Sequence, residues 1–213
     1  MADNNKTIQK KIKPDLPGGF RDYGFSEATT KQNIIDTFRK TAESFGFEPL
    51  ETSSVQRTEV LTGGEETASK IIFNIKGSRE EESEEPSDTS LRFDLTVPLA
   101  RFLAANPEII KPFRRYEIGK VWRGERQQAG RYREFTQADA DIVGVSSLEA
   151  DAEIISFMCR FLKKLGLEKF TIKINFRDEA EALLEKYKVP KEQRKAALIE
   201  VDKKDKLPPE ELQ

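Results

Sequence analysis

The chain has 213 residues, with 36 lysines and arginines against 38 aspartates and glutamates; 37% of it is hydrophobic and 35% charged. That length suits one large domain or a domain with an appendage, and the near balance of charge means that any nucleic-acid site must be local. There is no histidine and a single cysteine, Cys159, which excludes an internal disulfide, a cysteine-cluster zinc site, a Ser-His-Asp triad, a Cys-His pair and any His-ligated metal.

No apolar run approaches the roughly 18 residues of a membrane helix. The opening MADNNKTIQKKIK lacks the apolar stretch of a signal peptide. The high charge content is that of a soluble, cytoplasmic protein. Chemistry has to run on carboxylates, arginines, lysines, backbone groups or a bound metal-nucleotide.

Residues 1–14 read as a loose polar arm. After the turn signal Pro17-Gly18-Gly19, Ser26 is a candidate N-cap. Ile34, Ile35, Phe38, Ala42 and Phe45 follow at helical spacing, predicting a helix over 27–45 that Gly46 stops, and then a strand from Phe47. REEESEEPSD (79–88), with six carboxylates, reads as a solvated loop or hairpin tip. LRFDLT (91–96) alternates like a strand that Pro98 ends, with a short helix over 97–105. Residues 114–123 and 134–143 predict two strands joined by GERQQAGRYR. Ser146 and Glu149 form a capping-box pattern ahead of a helix reaching Leu165, with Ile154, Ile155, Met158, Phe161, Leu162 and Leu165 as its buried stripe and Cys159 as core packing. Phe170–Asn175 alternates again, and 178–213 is charged and helical in pattern. Helices alternating with strand clusters define an α+β fold around an antiparallel or mixed sheet. No dinucleotide or P-loop glycine motif occurs.

Parity sorts the strand side chains. Glu117, Gly119, Val121, Arg123 and Glu125 share one face of the first hairpin strand, while Tyr116, Ile118 and Trp122 take the other. Phe135, Gln137, Asp139 and Asp141 share a face of the return strand, and Arg92, Asp94 and Thr96 fall together in the earlier one. Two readings follow: a sheet with one wet side, or a polar-floored pocket in which arginines hold phosphate and carboxylates hold an amine. Between 111 and 133 eight basic residues face Glu117 and Glu125 alone. This excess suits a polyanion such as ATP or RNA, or else an ion-pair lattice with the acidic 80–88 loop.

FRRYEIGKVWRGERQQAGRYREFTQADADIVG (113–144) resembles motif 2 of class II aminoacyl-tRNA synthetases, specifically the histidyl enzymes. LRFDLTVPLARFLA (91–104) resembles their amino-acid-binding strand in its eukaryote-like form. LPGGFRDY with the following helix resembles their entry and motif 1 (about 27–53), and KINFRD (173–178) their Asn-x-Arg strand. The similarity spans about 14–206. It implies a class II catalytic core over 15–178, an antiparallel sheet flanked by helices, with a helical insertion beginning at 179. It also implies a homodimer formed through motif 1, and activation of histidine by ATP and Mg²⁺ before transfer to tRNA(His).

Carried over by position, Arg123 is the catalytic residue, gripping the α-phosphate. Glu125 accepts from the adenine amino group, Phe135 stacks on the ring, and Arg131 lies by the triphosphate or the tRNA end. Asp94, Thr96 and Gln137 hold the histidine ammonium, and Asp141 faces the imidazole. The carboxylate of the substrate attacks phosphorus itself, so no protein base is needed. Ser53 stands where the family's motif 1 has proline. The family's Gly-Gly-Arg-Tyr motif, its motif 3 and its anticodon-binding domain are not found, so the expected protein is the N-terminal catalytic segment of a longer ligase. The alternatives are a histidine-binding regulatory paralogue, like that of ATP phosphoribosyltransferase, and a dimerisation module.

Overall fold

The computed structural model describes residues 13–63, 71–76, 88–125 and 130–203. The polar arm up to residue 12 and the acidic stretch up to residue 87 lie outside the described residues. By its contacts the chain divides into two compact units, 1–168 and 169–213.

In the first unit, α1 (Phe25–Ser44) begins two residues ahead of its sequence expectation. Its N-cap is Gly24, no side chain caps it, and Ser26 lies within its first turn. Its C-terminal end behaves as Gly46 predicts: at φ 75° this glycine turns the chain out, and the amides of Phe45, Gly46 and Phe47 return to the carbonyls of Ala42 and Glu43. A two-residue strand, β1 (Glu48–Pro49), follows.

The centre of the unit is the hairpin β5 (Phe113–Trp122) and β6 (Glu134–Val143), paired from Phe113↔Val143 to Trp122↔Glu134. With β1 parallel to β5, they make a mixed sheet of order β1-β5-β6. The apolar parity of the hairpin is the core side, as predicted. Tyr116, Ile118, Ala140 and Ile142 pack against Phe38, Ala42, Phe47 and Phe157.

Phe157 belongs to α4 (Leu148–Lys164) and organises this core. Its ring meets Phe38 edge-on at 5.3 Å and Phe45 at 5.7 Å, and burying such a ring contributes about 1.5–3 kcal/mol. The predicted stripe missed it. Ile154 and Phe161 of that stripe do pack against the core, but Met158 is exposed, because α4 is rotated so that the sheet receives Phe157. Cys159 is half-buried and free, beside the core rather than in it. The N-cap of α4 is Ser147 rather than Ser146, and Glu149, hydrogen-bonded to the Ser147 side chain, is held below the usual carboxylate range.

A second, antiparallel sheet has the order β2-β4-β3, from β2 (Val55–Arg57), β3 (Phe73–Ile75) and β4 (Thr89–Leu91). A short helix, α2 (Thr58–Thr62), follows β2. The strand expected over LRFDLT therefore ends at Leu91, where its partners Val55 and Phe73 end. Beyond it the chain crosses the polar face of β5 as irregular backbone, and Thr96 opens helix α3 (Thr96–Ala105). Pro98 lies in the first turn of α3, where a missing amide costs nothing.

In the second unit, Phe170–Asn175 takes no regular secondary structure and joins no ladder among the described residues, which corrects the predicted strand. The helices α5 (Arg177–Lys186) and α6 (Lys191–Lys203) follow. Among the described residues no helix is long and apolar enough to cross a membrane.

Candidate active site

The polar face of the hairpin rests on a buried lattice of charge. Glu117 Oε1 accepts from the Thr52 amide (3.0 Å), the Thr52 hydroxyl (2.8 Å) and Arg92 Nη1 (2.8 Å), while Oε2 takes a longer bond from Arg115 (3.4 Å). Arg92 also donates to the carbonyls of Thr52 and Lys120. The three charged side chains are at most 4% exposed. Gly119 makes room for this: a Cβ there would collide with the Arg92 guanidinium. Sequence reasoning assigned no role to Arg92, Arg115, Glu117 or Thr52. The signal for Arg115 and Glu117 was charge on the polar parity of the hairpin strand, which periodicity alone reads as solvated.

Above this floor the register places Arg115 opposite Asp141, Glu117 opposite Asp139, Gly119 opposite Gln137 and Val121 opposite Phe135. Asp141 Oδ2 lies 2.7 Å from Arg115 Nη2. The pair has ionic distance without hydrogen-bond alignment, since Oδ2 has no hydrogen-bond partner. Gln137 Nε2 donates to both oxygens of Asp139. Arg123 Nε donates to the Phe93 carbonyl at 3.0 Å, and its guanidinium lies 5.0 Å from the centre of the Phe135 ring. No described residue accepts from its Nη groups, which leaves that end of the fork available to an anion.

Asp94 joins the same cluster from the crossing segment. Its Oδ1 accepts from the Val97 amide at 3.2 Å and closes the start of α3. The charges of Asp139, Arg123 and Arg115 all reach it. Of the other expected residues, Glu125 and Arg131 form a loose, exposed pair (3.7 Å) at the hairpin end. Thr96 is exposed on α3, with no bond to the cluster. The strand parity that placed it beside Asp94 does not operate there, since the backbone between them is already irregular. Ser53, at the motif 1 proline position, makes a local turn by accepting from the Val55 amide. A cavity of ≈ 720 Å³ lies between α1 and the opposite face of the hairpin, along Ile34, Phe38 and Ile118. Glu27 and Phe135 line it, but none of Asp94, Asp139 and Asp141 does, so the charge cluster and not this cavity marks the candidate site.

Burial holds the Asp94 carboxyl above its ordinary range. The Val97 amide opposes this, Asp139 adds to it, and Arg123 and Arg115 oppose it. Asp141 is raised in the same way, first by burial, with Arg115 opposing and Asp139 and Glu117 adding. A carboxyl with a folded-state pKa above its unfolded one is held more tightly by the proton in the fold. Its ionisation therefore opposes folding, from the unfolded pKa upward, and fully so at neutral pH. Asp94→Asn, which keeps the oxygen for the Val97 amide, is expected to melt at the same temperature as the native chain or higher at pH 7. That difference should shrink as pH falls through the carboxylate range. Melting curves across pH check this, and a variant less stable than the native chain at pH 7 would contradict it.

A hairpin-centred mixed sheet backed by helices is the fold of the class II aminoacyl-tRNA synthetases, present here as a truncated core. The family model described as Histidyl-tRNA synthetase matches residues 19–212. A histidine-tRNA ligase of Aeropyrum pernix is 44% identical over 170 residues, covering 78% of this chain and 37% of that protein. The solved histidyl-tRNA synthetase from Nostoc sp. PCC 7120 superposes with a TM-score of 0.79 at 31% identity, over 92% of this chain and 43% of that one. A structure described as an ATP phosphoribosyltransferase regulatory subunit/histidyl-tRNA synthetase, from Bacillus halodurans, gives a TM-score of 0.64 at 25% identity, over 75% of this chain and 40% of that one. The chain belongs to the histidyl-tRNA synthetase family, and it spans less than half the length of these relatives.

Proposed function

We propose that this chain carries the ammonium- and α-phosphate-binding face of a histidine-tRNA ligase, which activates histidine with ATP and passes it to tRNA(His). The observation that supports this is one face bearing both an arginine with unengaged Nη groups, Arg123, and a cluster of half-buried acids, Asp94, Asp139 and Asp141. An anion and a cation belonging to one reacting pair suit such a face.

In this reading Asp94 and Gln137 hold the α-ammonium and Asp141 faces the imidazole, while Thr96, exposed on α3, is left out of the set. The histidine carboxylate attacks the α-phosphorus while Arg123 takes up the charge developing on its oxygens, and pyrophosphate leaves. Phe135 stacks on adenine, Glu125 accepts from its amino group, and Arg131 reaches the triphosphate or the tRNA end. Among the described residues no group of three or more acids or cysteines could hold a metal ion on its own; Mg²⁺ would enter on the phosphates of ATP, and no step here runs through it. Dimerisation through motif 1 and a cytoplasmic location belong to the same proposal. Arg123, Glu125 and Phe135 favour the ligase over a regulatory paralogue, which has no use for an ATP site.

The test is calorimetric titration of a non-hydrolysable histidyl-adenylate analogue, with alanyl and prolyl analogues as controls. Selective binding of the histidyl form is expected. Equal binding of all three, or of none, would overturn the assignment.

A further inference from the structure

Asp139 has no role in the reaction described above, yet it sits at the middle of the face. Both its carboxylate oxygens accept from Gln137 Nε2, at 3.0 and 3.1 Å. An ionised carboxylate only accepts, so the Gln137 amide cannot turn over without setting oxygen against oxygen. Its Oε1 is therefore directed away from Asp139, and there it is buried with no hydrogen-bond partner. A buried acceptor left open is a standing cost that a donor from a ligand removes. An ammonium group, with three donors and no acceptor, is such a ligand group. A reversed amide would present its own donors to that ammonium instead.

We propose that Asp139 is a positioning residue: it locks the Gln137 amide with its oxygen toward the ligand and so makes this face selective for an α-ammonium. The proposal rests on the histidine-binding reading above and deepens it. The charge of Asp139 also reaches Asp94 and Asp141. Two effects can thus be separated: the orientation of Gln137, which needs an acceptor at position 139, and the field of the cluster, which needs a charge there.

The experiment titrates the intact protein with L-histidine and with 3-(imidazol-4-yl)propionate, which keeps ring and carboxylate but lacks the ammonium. The native protein is expected to prefer histidine. In Asp139→Ala histidine binding should weaken about tenfold while the propionate is unaffected, so the preference narrows. Asp139→Asn still places an oxygen against Gln137 Nε2 and should recover most of the loss. General loosening of the fold would weaken both ligands together and leave their ratio unchanged. A native preference retained in Asp139→Ala overturns the proposal alone. An Asn variant as poor as the Ala variant overturns orientation in favour of charge. Failure of the native protein to bind histidine overturns the reading beneath it, and the proposal with it.

Discussion

Replacing Glu117 by alanine is expected to lower the melting temperature by about 10 °C. The side chain is 1% exposed and neutralises two guanidinium groups that are themselves buried. Removing one partner from such a lattice costs about 3–5 kcal/mol, far more than the lattice contributes net, because the remaining charge is left in a medium that cannot solvate it. For a chain of this size each kcal/mol moves the midpoint by about 2–4 °C. Arg92 and Arg115 keep some partners after the change: the carbonyls of Thr52 and Lys120 for the first, Asp141 and the Leu95 carbonyl for the second. The loss should therefore fall at the lower part of that range. Scanning calorimetry of the variant decides it, and a midpoint within about 2 °C of the native one would mean that water reaches the lattice.

At the other end of the same strand the expectation reverses. Arg123→Ala should leave the melting temperature nearly unchanged, since this half-buried side chain gives the fold one hydrogen bond and one contact with Phe135. On the proposed ligase reading, histidine-dependent ATP-pyrophosphate exchange should nevertheless fall about 10²–10³-fold, the usual loss when a preorganised donor to developing charge is removed. Arg123→Lys should recover little, because a single ammonium cannot both donate to the Phe93 carbonyl and span two phosphate oxygens. Exchange within threefold of native in the alanine variant would take Arg123 out of the reaction. Arg115 in β5 and Arg123, just past its end, are eight positions apart and share one parity, and burial divides them into a structural and a chemical role.

The hairpin was legible in the sequence almost residue for residue, because its alternation continues through both strands and each face has one character. The LRFDLT segment shows the limit of that signal. Its alternation runs to Thr96, but a strand lasts only as long as its neighbours pair with it, and those neighbours lie in a distant part of the sequence. Phe157 escaped for a similar reason. Several apolar stripes can be drawn on α4, and which one faces inward depends on where the sheet sits. In the candidate site, Asp94, Arg123, Phe135, Gln137 and Asp141 were found by resemblance and parity together, and the structure sets them on or beside one face. The lattice beneath them was not legible, because buried charge follows no periodic rule; it depends on partners such as Thr52, brought in from 65 positions away.

The cross-strand pairs Arg115↔Asp141, Glu117↔Asp139 and Gly119↔Gln137 bear on how the hairpin forms at all. A slip of β6 by one residue along β5 would turn every side chain to the opposite side. Asp139 and Asp141 would be driven among Phe38 and Phe157, while Ala138 and Ala140 would face the guanidinium of Arg115. That misaligned hairpin could satisfy its backbone bonds fully, yet it would leave charges stranded on both sides. The residues assigned to ligand recognition thus also act as an alignment key during folding. Neutral substitutions made there to probe binding will loosen the choice of register as well.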